Sequence, residues 1–127
     1  MLGATPKALM NDLRSFGYFF EGMAMRDLRV YMDAVDGEVR HYHDKTGLVC
    51  DAVLQDWAGN YALVEIKLGG DNLINEAVAS LLKLDSLIKE KKKTPPAFKM
   101  VVTATGDFAY TRPEDGIIVC PLSALRP

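Results

Sequence analysis

The chain carries little excess charge of either sign. Its 15 Lys and Arg residues face 17 Asp and Glu, a formal net charge of -2. No global positive field therefore draws the whole molecule to nucleic acid. Cysteine is scarce as well. Cys50 and Cys120 are too few for a disulfide scaffold and lack the paired spacing of a zinc site, which leaves two reduced, partly buried thiols. No apolar run reaches membrane-spanning length and no signal peptide opens the chain, so the expected compartment is the cytoplasm and no membrane partner is expected. There is a single Trp, no internal repeat, and no low-complexity segment beyond the stretch from Lys89 to Lys93. The 127 residues are 49% hydrophobic and 25% charged. That suits one compact domain with a real core, and it argues against disorder.

Local signals divide the chain into elements. Thr5-Pro6 reads as an N-cap followed by proline at the first helical position, and Leu9, Met10 and Leu13 recur at helical spacing. Gly17 is expected to end or kink this first helix. A second helix is expected from about Tyr18 to Met32, with Phe20, Met23, Ala24, Leu28 and Tyr31 as its apolar stripe. Glu21 falls on or near that buried side, an odd place for a lone carboxylate. Asp36-Gly37 is a turn signal. Three strands follow: Glu38 to His43, Leu48 to Gln55 and Tyr61 to Leu68, joined by Asp44-Lys45-Thr46-Gly47 and by Asp56 to Asn60. Asp71 or Asn72 caps a helix to about Lys91, which Pro95-Pro96 ends. Phe98 to Thr103 is a compact interior strand, Ile117 to Cys120 a last short one, and Leu122 to Leu125 a terminal turn. The expected fold class is α/β, a mixed sheet flanked by helices.

The stretch from Asp51 to Lys67 speaks most directly about chemistry. A hairpin loop centred on Ala58 sets Asp51 opposite Glu65 and Val53 opposite Leu63. Alternation then projects Asp51, Glu65 and Lys67 from one side of the sheet. Directly opposed side chains have Cβ atoms roughly 5 Å apart. At an effective dielectric of about 20, two carboxylates at that distance repel by about 3 kcal/mol. Lys67 offsets part of this, and a hard divalent ion with oxygen ligands would offset more. The plain alternative is a strand-face salt bridge of modest worth. His41 and His43 share a strand face, but two histidines alone are a thin metal site, and ordinary strand residues are the better reading. Six lysines against two acids between Lys83 and Lys99 form a local basic patch. The run from Lys89 to Lys93 and Lys45 in its hairpin tip fit solvated positions first and phosphate contacts second. Trp57 is expected to pack its turn.

At Asp51, Glu65-Ile66-Lys67 and Glu21 the sequence resembles the PD-(D/E)XK nuclease superfamily, with its restriction-endonuclease-like core of helix, three strands, helix and strand (αβββαβ). That signature is an Asp on the second strand, Glu-x-Lys on the third, and in many members an acid on the first core helix. A closer resemblance covers nearly the whole chain. Phe19-Phe20-Glu21, Arg26-Asp27-Leu28-Arg29-Val30-Tyr31, His41-Tyr42-His43-Asp44-Lys45-Thr46-Gly47, Asp51-Ala52-Val53 and Glu65-Ile66-Lys67-Leu68-Gly69 are similar to domain of unknown function 4143. That family forms the C-terminal part of many prokaryotic ATP-binding proteins of the AAA-type ATPase class. The resemblance implies a helical lead-in over residues 1–16, a nuclease-like domain over 17–127, and an ATPase module preceding it in the same polypeptide. The chain itself has no Gly-x-x-x-x-Gly-Lys-Ser/Thr, hence no P-loop ATP site, and reads as an excised domain or natural fragment. Asp51 also follows Cys50 where the family pattern has proline.

Two functions of different class follow. One is a Mg²⁺- or Mn²⁺-dependent phosphodiesterase acting on DNA, with Asp51, Glu65 and Glu21 as metal ligands and Lys67 at the attacking water. The other is a non-catalytic module that holds DNA or a partner for a neighbouring ATPase. A third reading, an accessory dimerisation domain, makes a homo-oligomer.

Overall fold

A computed structural model of the chain describes residues 6–125. The first element is a single helix, α1 (Pro6–Asp33), of 28 residues. Gly17, expected to end or kink a first short helix, lies inside it. Glycine is a poor helix former, yet the helix runs through it into the segment whose Phe20, Ala24 and Leu28 pack on the sheet. Thr5, the expected cap, and the side chains of Leu9, Met10 and Leu13 fall outside what is described. Phe20, Ala24 and Leu28, spaced by one turn, are the buried face of α1. The helix stops where Gly37 N–H donates to Met32 O at 2.8 Å and Asp36 turns to a φ of 55°.

Six strands follow: β1 (Glu38–His43), β2 (Val49–Gln55), β3 (Tyr61–Lys67), β4 (Phe98–Thr103), β5 (Tyr110–Thr111) and β6 (Ile118–Pro121). Helix α2 (Asp71–Glu90) joins β3 to β4, and a 3-10 turn spans Leu122–Ala124. The sheet order is β1-β2-β3-β4-β6-β5. The β3-β4 and β4-β6 pairs are parallel and the rest antiparallel, so the sheet is mixed, as expected. The two-residue strand β5 was not anticipated.

Both early hairpins close in one way. Asp44 and Asp56 each accept two backbone N–H bonds from the next four residues. Gly47 and Gly59 follow at φ 87° and 91°, the left-handed residue of a three-residue loop. Trp57, beside Asp56, is 82% exposed and does not pack its turn as expected.

Helix α1 covers one face of the sheet and α2 the other. Phe20, Ala24 and Leu28 pack on Ala52, Val64, Ile66 and Val102. Ala77, Val78, Leu81 and Leu84 pack on Cys50, Leu63, Val101 and Val119. Burial of each large aliphatic side chain contributes about 1.5–3 kcal/mol. Cys50 and Cys120 are both buried and free, and they belong to opposite core layers. Among the described residues no helix is long and apolar enough to cross a membrane.

Candidate functional site

The β2–β3 ladder pairs Gln55 with Tyr61, Leu54 with Ala62, Val53 with Leu63 and Ala52 with Val64, the register expected from a loop centred on Ala58. It stops there. Beyond it, the backbone N–H of Ile66 donates to Asp51 Oδ2 at 2.8 Å. A side-chain carboxylate thus takes an amide at the point where the two strands part.

A bulge on the other side of β2 explains why. Strand β1 pairs Arg40 with Val53 and then Tyr42 with Cys50, so His41 alone opposes Asp51 and Ala52. An extra residue of this kind breaks alternation and bends the strand. Its effect is visible in the core: Ala52 packs toward α1, whereas Cys50, two residues earlier, packs toward α2. The single-face arrangement expected for Asp51, Glu65 and Lys67 is therefore replaced by a different one. Glu65 and Lys67 share the α2 face with Leu63, and Lys67 Nζ reaches Glu76 on α2 at 3.4 Å. Asp51 lies in the gap between the two faces.

The gap gathers charge. Glu65 is 5% exposed, and its carboxyl is pushed up to about 9. Burial is the main cause, followed by a hydrogen bond to Asp51 and the Asp51 charge, while Lys67 pulls the other way. Glu21 on α1 feels the same centre from the opposite face. Its proton is held above the ordinary range by burial and then by Asp51, against the opposing fields of His41 and Lys67. All four sequence-identified residues, Glu21, Asp51, Glu65 and Lys67, thus meet at the open end of the β2–β3 hairpin. Among the described residues, however, no group of three or more His, Cys, Asp or Glu side chains is close enough to hold a metal ion as it stands.

Two further residues join them. His41 sits at the bulge, with Nδ1 3.4 Å from Asp51 O. Its partner His43 pairs with Val49 further along the edge. Arg14 lies two turns before Glu21 on α1, and that spacing of seven was the signal that could have found it. Arg14, Tyr18, Glu21, Ile66, Lys67 and Leu73 line a cleft of about 230 Å³. A roomier cleft of about 470 Å³, between the β1–β2 turn and α2, has Lys83 and Glu90 on its walls and lies away from the acidic pair. The floor of the site is fixed by the segment after β3. Gly69 has φ 128°, and a Cβ there would collide with Thr105 Oγ1. Ala104 N–H and Thr105 Oγ1 both bond Leu68 O, so this close approach anchors the start of α2 beside Lys67.

The family model for Domain of unknown function (DUF4143) matches residues 16–125, and the chain belongs to that family. No curated protein and no solved structure matches it.

Proposed function

We propose that this member of DUF4143 is a divalent-metal-dependent phosphodiesterase acting on nucleic acid, built on the restriction-endonuclease-like core of the PD-(D/E)XK superfamily. The observation that carries the reading is Glu65: a carboxyl that keeps its proton to about 9, first because it is buried and then because Asp51 lies beside it. Two acids that cannot both ionise unaided lack one positive partner. The donor set suits a hard cation that keeps several waters, as Mg²⁺ and Mn²⁺ do.

Asp51 and Glu65 would hold that ion, with Glu21 on α1 facing it through a water rather than as a direct third ligand. Asp51 Oδ2 is spent on the Ile66 amide, which orients the carboxylate and leaves Oδ1 for coordination. The N–H and C=O of one strand residue point to the same edge, so the Ile66 carbonyl also faces the gap. A bound divalent cation supplies Lewis acidity and a water that ionises near neutral pH. Lys67, free to leave the solvent-exposed Glu76, orients the attacking water and stabilises charge developing on the phosphate. Arg14 across the cleft is placed to hold a neighbouring phosphate.

The test is cleavage of linear and single-stranded DNA with Mn²⁺ or Mg²⁺. Wild type is expected to cut, and Lys67→Ala and Asp51→Ala to lose roughly 100-fold or more. DNA left intact by wild type with either ion overturns the reading.

The Lys67–Glu76 ion pair favours a second one, in which the domain holds DNA or a partner for an AAA-type ATPase and performs no chemistry. Calorimetry separates the two. Mn²⁺ heat that Glu65→Gln abolishes supports the first. Unchanged DNA or partner binding in Lys67→Ala without metal supports the second.

A further inference from the structure

Helix α1 carries a second apolar stripe that, apart from the partly buried Met23, the core does not use. Phe16, Phe19, Met23 and Val30 follow a spacing of three, four and seven, with Arg26 completing the repeat. Phe16 is 56% exposed, Phe19 69% and Val30 60%, while Phe20, Ala24 and Leu28 face the sheet. Between the stripe residues is a hollow of about 300 Å³ lined by Tyr18, Phe19, Gly22, Met23 and Arg26. Residues 19, 22, 23 and 26 are the four positions that make a hole for a knob from a facing helix. Gly22 is its floor, and a Cβ there would meet nothing within 4 Å.

From this face we infer that the chain forms a weak antiparallel dimer through α1. The charges choose the occupant and the direction. A parallel second copy would stack Asp12 on Asp12, Arg26 on Arg26 and Asp33 on Asp33 along the seam. An antiparallel copy centred near Glu21 removes each of these clashes. It sets Phe19 against the other Met23, a thioether–ring contact. It sets Phe16 against the other Arg26, a cation over an aromatic face. Asp12, exposed at one end, comes within a turn of Arg26 and Arg29 of the second copy. The two Gly22 residues lie almost at the dyad, where the missing side chains let the helices approach. At these exposures the stripe buries roughly 450 Å² per copy, or about 900 Å² in all. Stable interfaces take about 1,200–2,000 Å². The dimer is therefore concentration-dependent.

Sedimentation equilibrium over roughly 10–500 µM is expected to show wild type passing from monomer toward dimer. Gly22→Leu has open space in the monomer, so it is expected to unfold in urea no more easily than wild type and to weaken association at least tenfold. Gly22→Cys is expected to oxidise to a cross-linked dimer. Val30→Cys is not, because the two copies of residue 30 are roughly 27 Å apart along an antiparallel pair. Wild type that stays monomeric across the range overturns the inference. So does a dimer that Gly22→Leu leaves intact, or cross-linking of both cysteine variants, which marks a parallel pair.

Discussion

The β2–β3 hairpin has an aspartate at each end, and the two do opposite work. At the closed end Asp56 sits in water and accepts from Ala58 N–H, Asn60 N–H and Asn60 Nδ2. Those bonds, the Asn60 side chain first, hold its carboxyl below the usual range. At the open end Asp51 accepts one amide, from Ile66, and its charge falls on the buried carboxyl of Glu65. One aspartate completes a turn and is satisfied by it. The other is held in place by the backbone and creates an imbalance beside it. Geometry that only closes a chain leaves no unmet charge, whereas geometry that prepares a site does.

The sharpest way to break this contrast is Glu65→Gln. Between the ordinary carboxyl range and about 9, the native state binds a proton at Glu65 that the unfolded chain has released. Stability therefore falls as pH rises through that window and levels off above it. The amide keeps the shape of the neutral acid and has nothing to titrate. Glu65→Gln is expected to be more stable than wild type by on the order of 3 kcal/mol at pH 8, and by nearly nothing below about pH 4. Urea unfolding across pH reads both. Equal stability of the two proteins at pH 8 would mean that the open end carries no strain.

Asp56→Ala examines the other end and is expected to do less. It removes three exposed hydrogen bonds and lowers Tm by roughly 3 °C. Because the folded carboxyl titrates below the unfolded one, its contribution is present above the unfolded value and is lost as pH falls through the folded value. The Tm difference from wild type should therefore stay flat from pH 5 to pH 9, where that of Glu65→Gln changes most. A Tm difference for Asp56→Ala that grows with pH over that range would erase the distinction between the two ends.

The same contrast marks what could be read from residues alone. The closed end was legible, because Asp56 to Asn60 between two apolar runs fixes the turn and the turn fixes the register as far as Ala52 and Val64. The acids at the open end were legible as residue types. Their placement was not: the bulge arises where His41 faces two residues, and nothing in Cys50-Asp51-Ala52 signals it. Gly17 misled for a related reason. Its local preference is to stop a helix, and what overrides it is the packing of Phe20, Ala24 and Leu28 on strands that come later in the chain. Tyr110-Thr111 is too short to show any period. Local chemistry thus picked out the acidic residues, and long-range packing determined how they meet.

Asp51→Asn is the mildest change and isolates the link between the two carboxyls. The amide oxygen can still accept from Ile66 N–H, so the gap keeps its form and Tm should move by no more than roughly 2 °C. What disappears is the negative charge and an ionised acceptor for the Glu65 proton, the second and third reasons that proton is held. Burial, the first reason, remains. In ¹³C-carboxyl NMR the Glu65 titration should therefore fall by at least about one unit and still stay above the ordinary glutamate value. A full return to that value would mean that Asp51, not burial, dominates. No movement at all would mean that the two carboxyls are not neighbours, and the open end would then be no more a site than the closed one.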